Sequence, residues 1–275
     1  MIFPFVCAVD LPRKLLHELL SKLGAKHPQA LVYPLFVALK SPREDRRAAA
    51  KFIMSSLRQD NAVLVDQALM VSQELIRVAI LLQETCHEAL EEASRQFFGE
   101  QNIKGMLDTL IPLHEHLNQN DPTAREESFY VNYFDPLREA FQNITLYLLG
   151  TNPEGDTSPS TGPPPNMYRG RRTAPTQDRH ILRAWDHYYA VFKKINQSLP
   201  HITALELQNV SPALLCARDL ILAVPGTYSV DGSLIRIQSF HPTVLVIRSK
   251  QRPRKIRILG EDGQEFVFLL KVGIV

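Results

Sequence analysis

The side chains with chemistry to offer fall into two groups. The first is aromatic and nearly uncharged: Leu90, Ser94, Phe97 and Phe98 in one stretch, and Trp185, Asp186, Tyr189 and Phe192 in another. Within each stretch these residues recur at three- and four-residue steps, so on a helix each set shares one edge. Two such edges side by side form either the core of a bundle or an aromatic-lined cleft with few polar groups. A cleft of that kind suits a greasy macrocycle or an amphipathic segment. The second group is basic: Arg248, Lys250, Arg252, Arg254, Lys255 and Arg257 crowd one short run. That run reads either as a solvated edge strand or as an anion-binding turn. Nucleic-acid binding is the weaker reading, because no base-stacking aromatics interleave with the cations.

Other chemistry finds little support. His114 and His116 are two apart, so on a helix they diverge, and no further ligand lies near them; no metal site is expected. Cys7, Cys86 and Cys216 are scattered and odd in number, without a CxxC, which fits a reducing compartment better than a disulfide framework. Asn143-Ile144-Thr145 matches a glycosylation sequon but lies within a helical pattern. A net charge of +2 calls for neither a nucleic-acid nor a membrane partner. No run approaches the roughly 20 apolar residues of a membrane span, and the apolar start lacks the basic flank of a signal peptide. A cytoplasmic protein is expected, with the endomembrane surface and the nucleus as further placements.

The elements that must position these residues are mostly helices. At 45% hydrophobic and 22% charged over 275 residues, the chain can bury a core in one large or two modest domains. The longest amphipathic run is 74–100. Leu75, Val78, Leu82, Cys86, Leu90, Ala93 and Phe97 share a face over roughly 35–40 Å, and Gly99 stands at the C-cap position. Before it, 1–70 reads as short helices with short connections, the edge of an α-solenoid. After it come a helix from about 103, which Pro112 should kink, and one from about 124, which Pro136 should break or cap partway. Residues 151–177 are rich in Pro, Gly, Ser and Thr and are expected to form a loop without a core. They include Pro163, Pro164 and Pro165. The last helix carries Ile181, Trp185, Tyr188, Tyr189 and Phe192. Residues 200–232 form a connector. From 233 the period changes to two, predicting three or four antiparallel strands with a hairpin turn at Glu261-Asp262-Gly263. The fold expected is mainly α: an α-solenoid end, a four-helix bundle over 71–199, and a partial antiparallel β-sheet over 233–275.

Several stretches resemble the target-of-rapamycin (TOR) kinases, Ser/Thr protein kinases related to phosphatidylinositol 3-kinases. "ELIRVAI", "HEALEEASRQFFGE" and "RAWDHYYAVFKKI" resemble the first and last helices of their rapamycin-binding module. "HPQALVYPL" is similar to the end of their helical-repeat (FAT) region, and "SKQRPRKIRILGEDGQEFVFLLK" to the first strands of the kinase N-lobe. The resemblance covers about 11–271 apart from 151–177. It departs at Phe97, where Tyr is common, at Leu182, where Thr is common, and at Leu82 and Cys86, where Trp is usual. Asp178-Arg179-His180 imitates the catalytic DRHxxN loop, but Arg183 stands in place of the metal-binding Asn.

The resemblance implies two sites. Leu90, Ser94, Phe97, Phe98, Leu182, Trp185, Asp186, Tyr189 and Phe192 would bind rapamycin presented by an immunophilin and would recruit kinase substrates. Ser94 would leave room that a bulkier residue would fill, and Leu182 would add bulk at the rim. Lys193, with Lys194, would meet an acidic lipid headgroup. Ile247, Ser249, Pro253, Leu269 and Lys271 would form part of an ATP site, with Lys271 gripping the phosphates and Leu269, two residues before it, on the same strand face. ATP and Mg belong to the complete kinase, and none is expected for this chain alone, because the catalytic and metal-binding loops are absent. Other subunits of TOR complexes would be partners of the full-length protein. The resemblance ends at Val272, and Val codons begin with the GT of a splice donor, so the chain reads as a fragment. The rival reading is a short, non-catalytic binding module or decoy.

Overall fold

The computed structural model describes residues 10–117, 122–149 and 175–271; the expected loop at 151–177 falls almost wholly outside them. The molecule is mainly α-helical with one small antiparallel sheet, and it divides into two compact units. One runs from Leu81 to His201. The other combines the chain up to Ile80 with the chain from Ile202 onward.

Among its described residues the Leu81–His201 unit is a bundle of four α-helices. The helix expected over 74–100 is in fact interrupted: α4 (Ala62–Ala79) ends at Ile80, which is extended with φ −136° and ψ 126°, and α5 (Leu82–Ser94) begins afresh. The Glu84 carboxylate fixes that start by accepting the Leu81 N–H at 3.0 Å, the side-chain-to-backbone half of a capping box. The first turns of the expected helix therefore belong to the other unit. Next comes α6 (Ile103–His116), which runs through Pro112. The third helix, α7 (Ala124–Leu149), continues through Pro136 rather than stopping there. An interior Pro costs about 3 kcal/mol. Burial of Phe129, Tyr133, Leu137, Ala140 and Ile144 along one stripe outweighs that cost, at roughly 1.5–3 kcal/mol for each large side chain. The bundle closes with α8 (Pro175–Ser198), whose Ile181, Ala184, Tyr188, Val191 and Ile195 are buried.

Inside the bundle His114 is buried rather than poised for a metal. Its ring stacks on Phe141 with centroids 4.2 Å apart, and its Nε2 is hydrogen-bonded to the Tyr188 hydroxyl at 2.9 Å. Burial pushes the imidazole down to about 4. The Cys86 thiol, also buried, is pushed up to about 12.

In the second unit, α1 (Asp10–Lys26), α2 (Pro28–Leu39) and α3 (Glu44–Asp60) pack on one another and, with α4, form a helical layer. After β1 (Ala204–Glu206) come two short helices, α9 (Leu207–Val210) and α10 (Pro212–Cys216). The remaining strands are β2 (Ile237–Phe240), β3 (Thr243–Val246), β4 (Arg254–Gly260) and β5 (Glu265–Leu270). β4 is the centre of the sheet. β5 pairs along its whole length on one side, while β3 and β2 share the other side, with Val246 opposite Arg254 and Phe240 opposite Ile258. β1 pairs with β3, a strand the sequence did not announce.

The edge-strand reading of the basic run therefore fails, and so does solvation at Arg254, although Arg248, Lys250 and Lys255 are exposed. β4 is flanked on both sides, and Arg254 is wholly buried, with its Nε donating to the Val78 carbonyl of α4 at 3.3 Å. Other polar ties join helices to the sheet side of this unit. The Gln29 carboxamide donates to the Ile221 carbonyl (2.7 Å) and accepts from the Ala223 N–H (3.0 Å). The Tyr33 hydroxyl donates to the Ala223 carbonyl at 2.7 Å, and Ser211 Oγ donates to the Glu74 carboxylate at 2.7 Å.

Candidate functional site

The groove is built around the end of α5. There the helix widens into a π-turn, Arg95–Gly99, with Glu100 N–H bonded to the Arg95 carbonyl at 3.1 Å and Asn102 N–H to the Gln96 carbonyl at 2.8 Å. A π-turn carries one residue more than an α-turn. Gly99 does not supply the left-handed position expected of a C-cap; Gln101 does, at φ 52°. The turn is pinned by polar side chains. Gln96 donates to Glu92 (2.7 Å) and accepts from the Thr109 hydroxyl (3.2 Å), and Arg95 pairs with Glu92 and Glu100. Asn102 Oδ1 accepts from Gly105 N–H at 2.9 Å and caps α6. A Cβ on Gly105 would stand 2.5 Å from Asn102 Nδ2, so a side chain there would push against the capping Asn102.

The π-turn lets two successive phenylalanines meet one tryptophan. Phe97 stacks on Trp185 (5.7 Å between centroids, 24° between planes), Phe98 leans on it at 5.2 Å, and the two phenyl rings meet edge to face at 4.8 Å. Such pairs add about 0.5–1.5 kcal/mol each beyond the area they bury. Trp185 is thereby fixed, buried to all but 7%. Beside it lies a cavity of about 530 Å3. Leu90, Ser94 and Phe98 of the first element line one side, and Leu182, Trp185, Asp186, Tyr189 and Phe192 of α8 the other. Phe97 is not part of this wall; it backs Trp185. Two lining residues were missed from the sequence, Glu91 and Tyr188. Both were findable by helical spacing, since each lies three residues from a residue already placed there, Ser94 and Trp185 respectively. Phe98, Leu182 and Tyr189 stand 61%, 53% and 65% exposed, large apolar surfaces left open around the groove. His87 stacks on Phe192, one of the lining residues, at 4.6 Å. Lys193 and Lys194 are exposed and outside the groove; Lys194 borders a shallower hollow with Asn132 and Tyr133.

The second set of residues lies on the outward face of the sheet. Leu245, Lys255 and Leu269 sit opposite one another across three strands and share that face. Ile247 follows Leu245 by two, and its N–H bonds to the Pro253 carbonyl at 3.0 Å, closing the turn that holds Ser249. Arg252 makes the corner at φ 42°. Leu269 and Ile247 are 62% and 39% exposed, and Lys271, just beyond β5, is exposed. This is a flat apolar patch with a cation at its end. Among the described residues no group of three or more His, Cys, Asp or Glu is placed to hold a metal, and no helix is long and apolar enough to cross a membrane.

A family model described as the FKBP12-rapamycin binding domain matches residues 74–197, a span that contains the groove. Serine/threonine-protein kinase TOR of Arabidopsis thaliana is 46% identical over 263 residues, 94% of this chain and 10% of that protein. Serine/threonine-protein kinase mTor of Drosophila melanogaster is 45% identical over 258 residues, 94% of this chain and 9% of its own. Serine/threonine-protein kinase TOR2 of Saccharomyces cerevisiae is 45% identical over 255 residues, 92% of this chain and 9% of its own. The chain spans about a tenth of the length of these relatives.

Proposed function

The chain belongs to the target-of-rapamycin (TOR) Ser/Thr protein kinases, of which it carries the FKBP12-rapamycin binding domain, and from that premise we propose that its bundle groove binds rapamycin together with FKBP12 and docks kinase substrates. The observation that carries the reading is the groove itself: an open apolar trough held by a pinned Trp185, with the small Ser94 on one side and exposed Phe98 and Tyr189 around it. An exposed apolar patch around a formed cavity marks an interaction site. A macrocycle would bury its own apolar face there while an immunophilin holds the other.

The sheet is read as the start of a kinase N-lobe and the α1–α4 layer as the end of the FAT helices. The outward patch offers area to a flat apolar group such as adenine: Ile247 and Leu269 are exposed and Pro253 closes the turn, and in this reading Ser249 and Lys271 would hold the phosphates. ATP with Mg, phosphorylation of Ser and Thr, and a role in growth control belong in this reading to the whole kinase and its complexes, in the cytoplasm. Lys193 and Lys194 stand free of the groove, where an acidic lipid headgroup could approach them.

The test is capture of FKBP12 by the chain with and without rapamycin. Capture that requires the drug, and that falls at least tenfold with Ser94→Ile, is the expected result. Drug-independent capture, or capture indifferent to Ser94→Ile in a folded chain, would overturn the groove reading.

A further inference from the structure

Successive residues on a regular α-helix point about 100° apart, so Phe97 and Phe98 would diverge from any one ring. In the Arg95–Gly99 turn, with its extra residue, both meet Trp185, at 5.7 and 5.2 Å between centroids. Backbones adopt such π-turns rarely, so the side chains that tie this one down carry its register. Gln96 sits in the turn, half-buried and outside the groove wall, and is tied on both sides. Its amide nitrogen donates to Glu92 Oε1 at 2.7 Å, one turn back on the helix. Arg95 Nη2 donates to the same oxygen at 2.6 Å. The Gln96 carboxamide oxygen accepts from the Thr109 hydroxyl of α6 at 3.2 Å. That hydroxyl has one proton, which it shares with the Gly105 carbonyl at 3.0 Å. Gly105 leaves the oxygen its room, since a Cβ there would stand 3.0 Å from Gln96 Oε1. Arg95 and Glu100 are exposed, where an ion pair adds little. The half-buried carboxamide is the stronger tie from the turn to α6.

We infer that Gln96 is a positioning residue for the groove: its carboxamide, held between Glu92 and Thr109, keeps the π-turn in the register that stacks Phe97 and Phe98 on Trp185, and so sets how tightly the groove holds rapamycin with FKBP12. The inference rests on the groove reading above. Gln96 acts without touching the ligand. Freed of the carboxamide, the turn can relax toward the tighter α-helical register, which rotates Phe98 along the rim and takes one ring off Trp185. The groove then has to be rebuilt each time a ligand enters, and that cost appears as lost affinity. Thr109 works through the same tie from the α6 side.

The test uses two variants of the full chain that keep side-chain size, Gln96→Leu and Thr109→Val, with Ile144→Val as a control that trims the buried face of α7 outside the groove wall. Rapamycin-dependent capture of FKBP12 by Gln96→Leu is expected to weaken about fivefold or more. Trp185 is the only tryptophan of the chain, so its fluorescence reports the stack directly. In the drug-free chain, well below the melting transition, acrylamide should quench it more in Gln96→Leu than in the wild type. Ile144→Val should melt earlier yet match the wild type in both capture and quenching. Thr109→Val should move both readouts in the direction of Gln96→Leu, and the double variant should be no worse than Gln96→Leu alone, because the two substitutions break one tie. If Gln96→Leu does not fold, Thr109→Val carries the same expectations. Wild-type capture and quenching in Gln96→Leu, equal losses in Ile144→Val, or additive losses in the double variant would each overturn the inference. Drug-dependent capture by the wild type with Gln96→Leu unaffected removes this inference and leaves the groove reading standing. A loosened Trp185 in Gln96→Leu beside a wild type that captures nothing does the reverse.

Discussion

In the bundle, the residues around the groove come from two helical stretches whose spacing already puts each set on one edge. In the sheet-bearing unit, the residues that matter to one another lie far apart in sequence: Gln29 with 221 and 223, Glu74 with Ser211, Val78 with Arg254. The bundle is held by apolar stripes and ring stacking. The other unit adds polar ties between helices and a sheet that would be too small to stand alone. A surface helped by local periodicity is readable and tolerant of rim substitutions. A unit tied by buried polar groups fails sharply when one partner is removed.

Arg254→Ala should produce the largest effect. It removes a wholly buried side chain, leaving a cavity and the Val78 carbonyl without that donor, at a cost of about 2–5 kcal/mol. Hydrogen exchange should locate the loss in β4 and β5. Unchanged protection there would erase the contrast between the units.

On the bundle side, His114 is held neutral, with its folded value at about 4 against an ordinary 6.5. The unfolded chain therefore binds the proton first. Stability contributed by this burial is complete above pH 6.5 and is lost as pH falls from 6.5 towards 4, by up to about 3 kcal/mol. Melting followed across that window should show the decline, and His114→Phe should flatten it. A wild-type curve level between pH 7 and 4 would contradict the buried, neutral imidazole.

The smallest effect is expected at Gln29→Ala, which removes two hydrogen bonds to the 221–223 backbone for about 1–2 kcal/mol. Urea midpoints would show it. A loss no larger than that of an exposed surface substitution would mean that the helix-to-sheet ties contribute little.

The helices of the bundle were legible because periodicity is local, and so was the pairing of Leu90 and Ser94 with Trp185 as a groove. Four features were not. The break at Ile80-Leu81 carries no Ser, Thr, Asp or Asn cap; only Glu84 reaching back marks it. Pro136 read as a stop because its local cost is visible in sequence, while the buried stripe that offsets it is tertiary. Arg254 read as solvated because a basic run looks exposed until β4 proves central, its alternate residues facing inward. Likewise β1 is three residues long and becomes a strand only by pairing with β3.

The most direct test of the groove is hydrogen exchange on the full chain with rapamycin and FKBP12 added together. New protection concentrated in α5, the Arg95–Gly99 turn and α8 is the expected result. Protection confined to the sheet, or none at all, would contradict the assignment of the groove as the binding face.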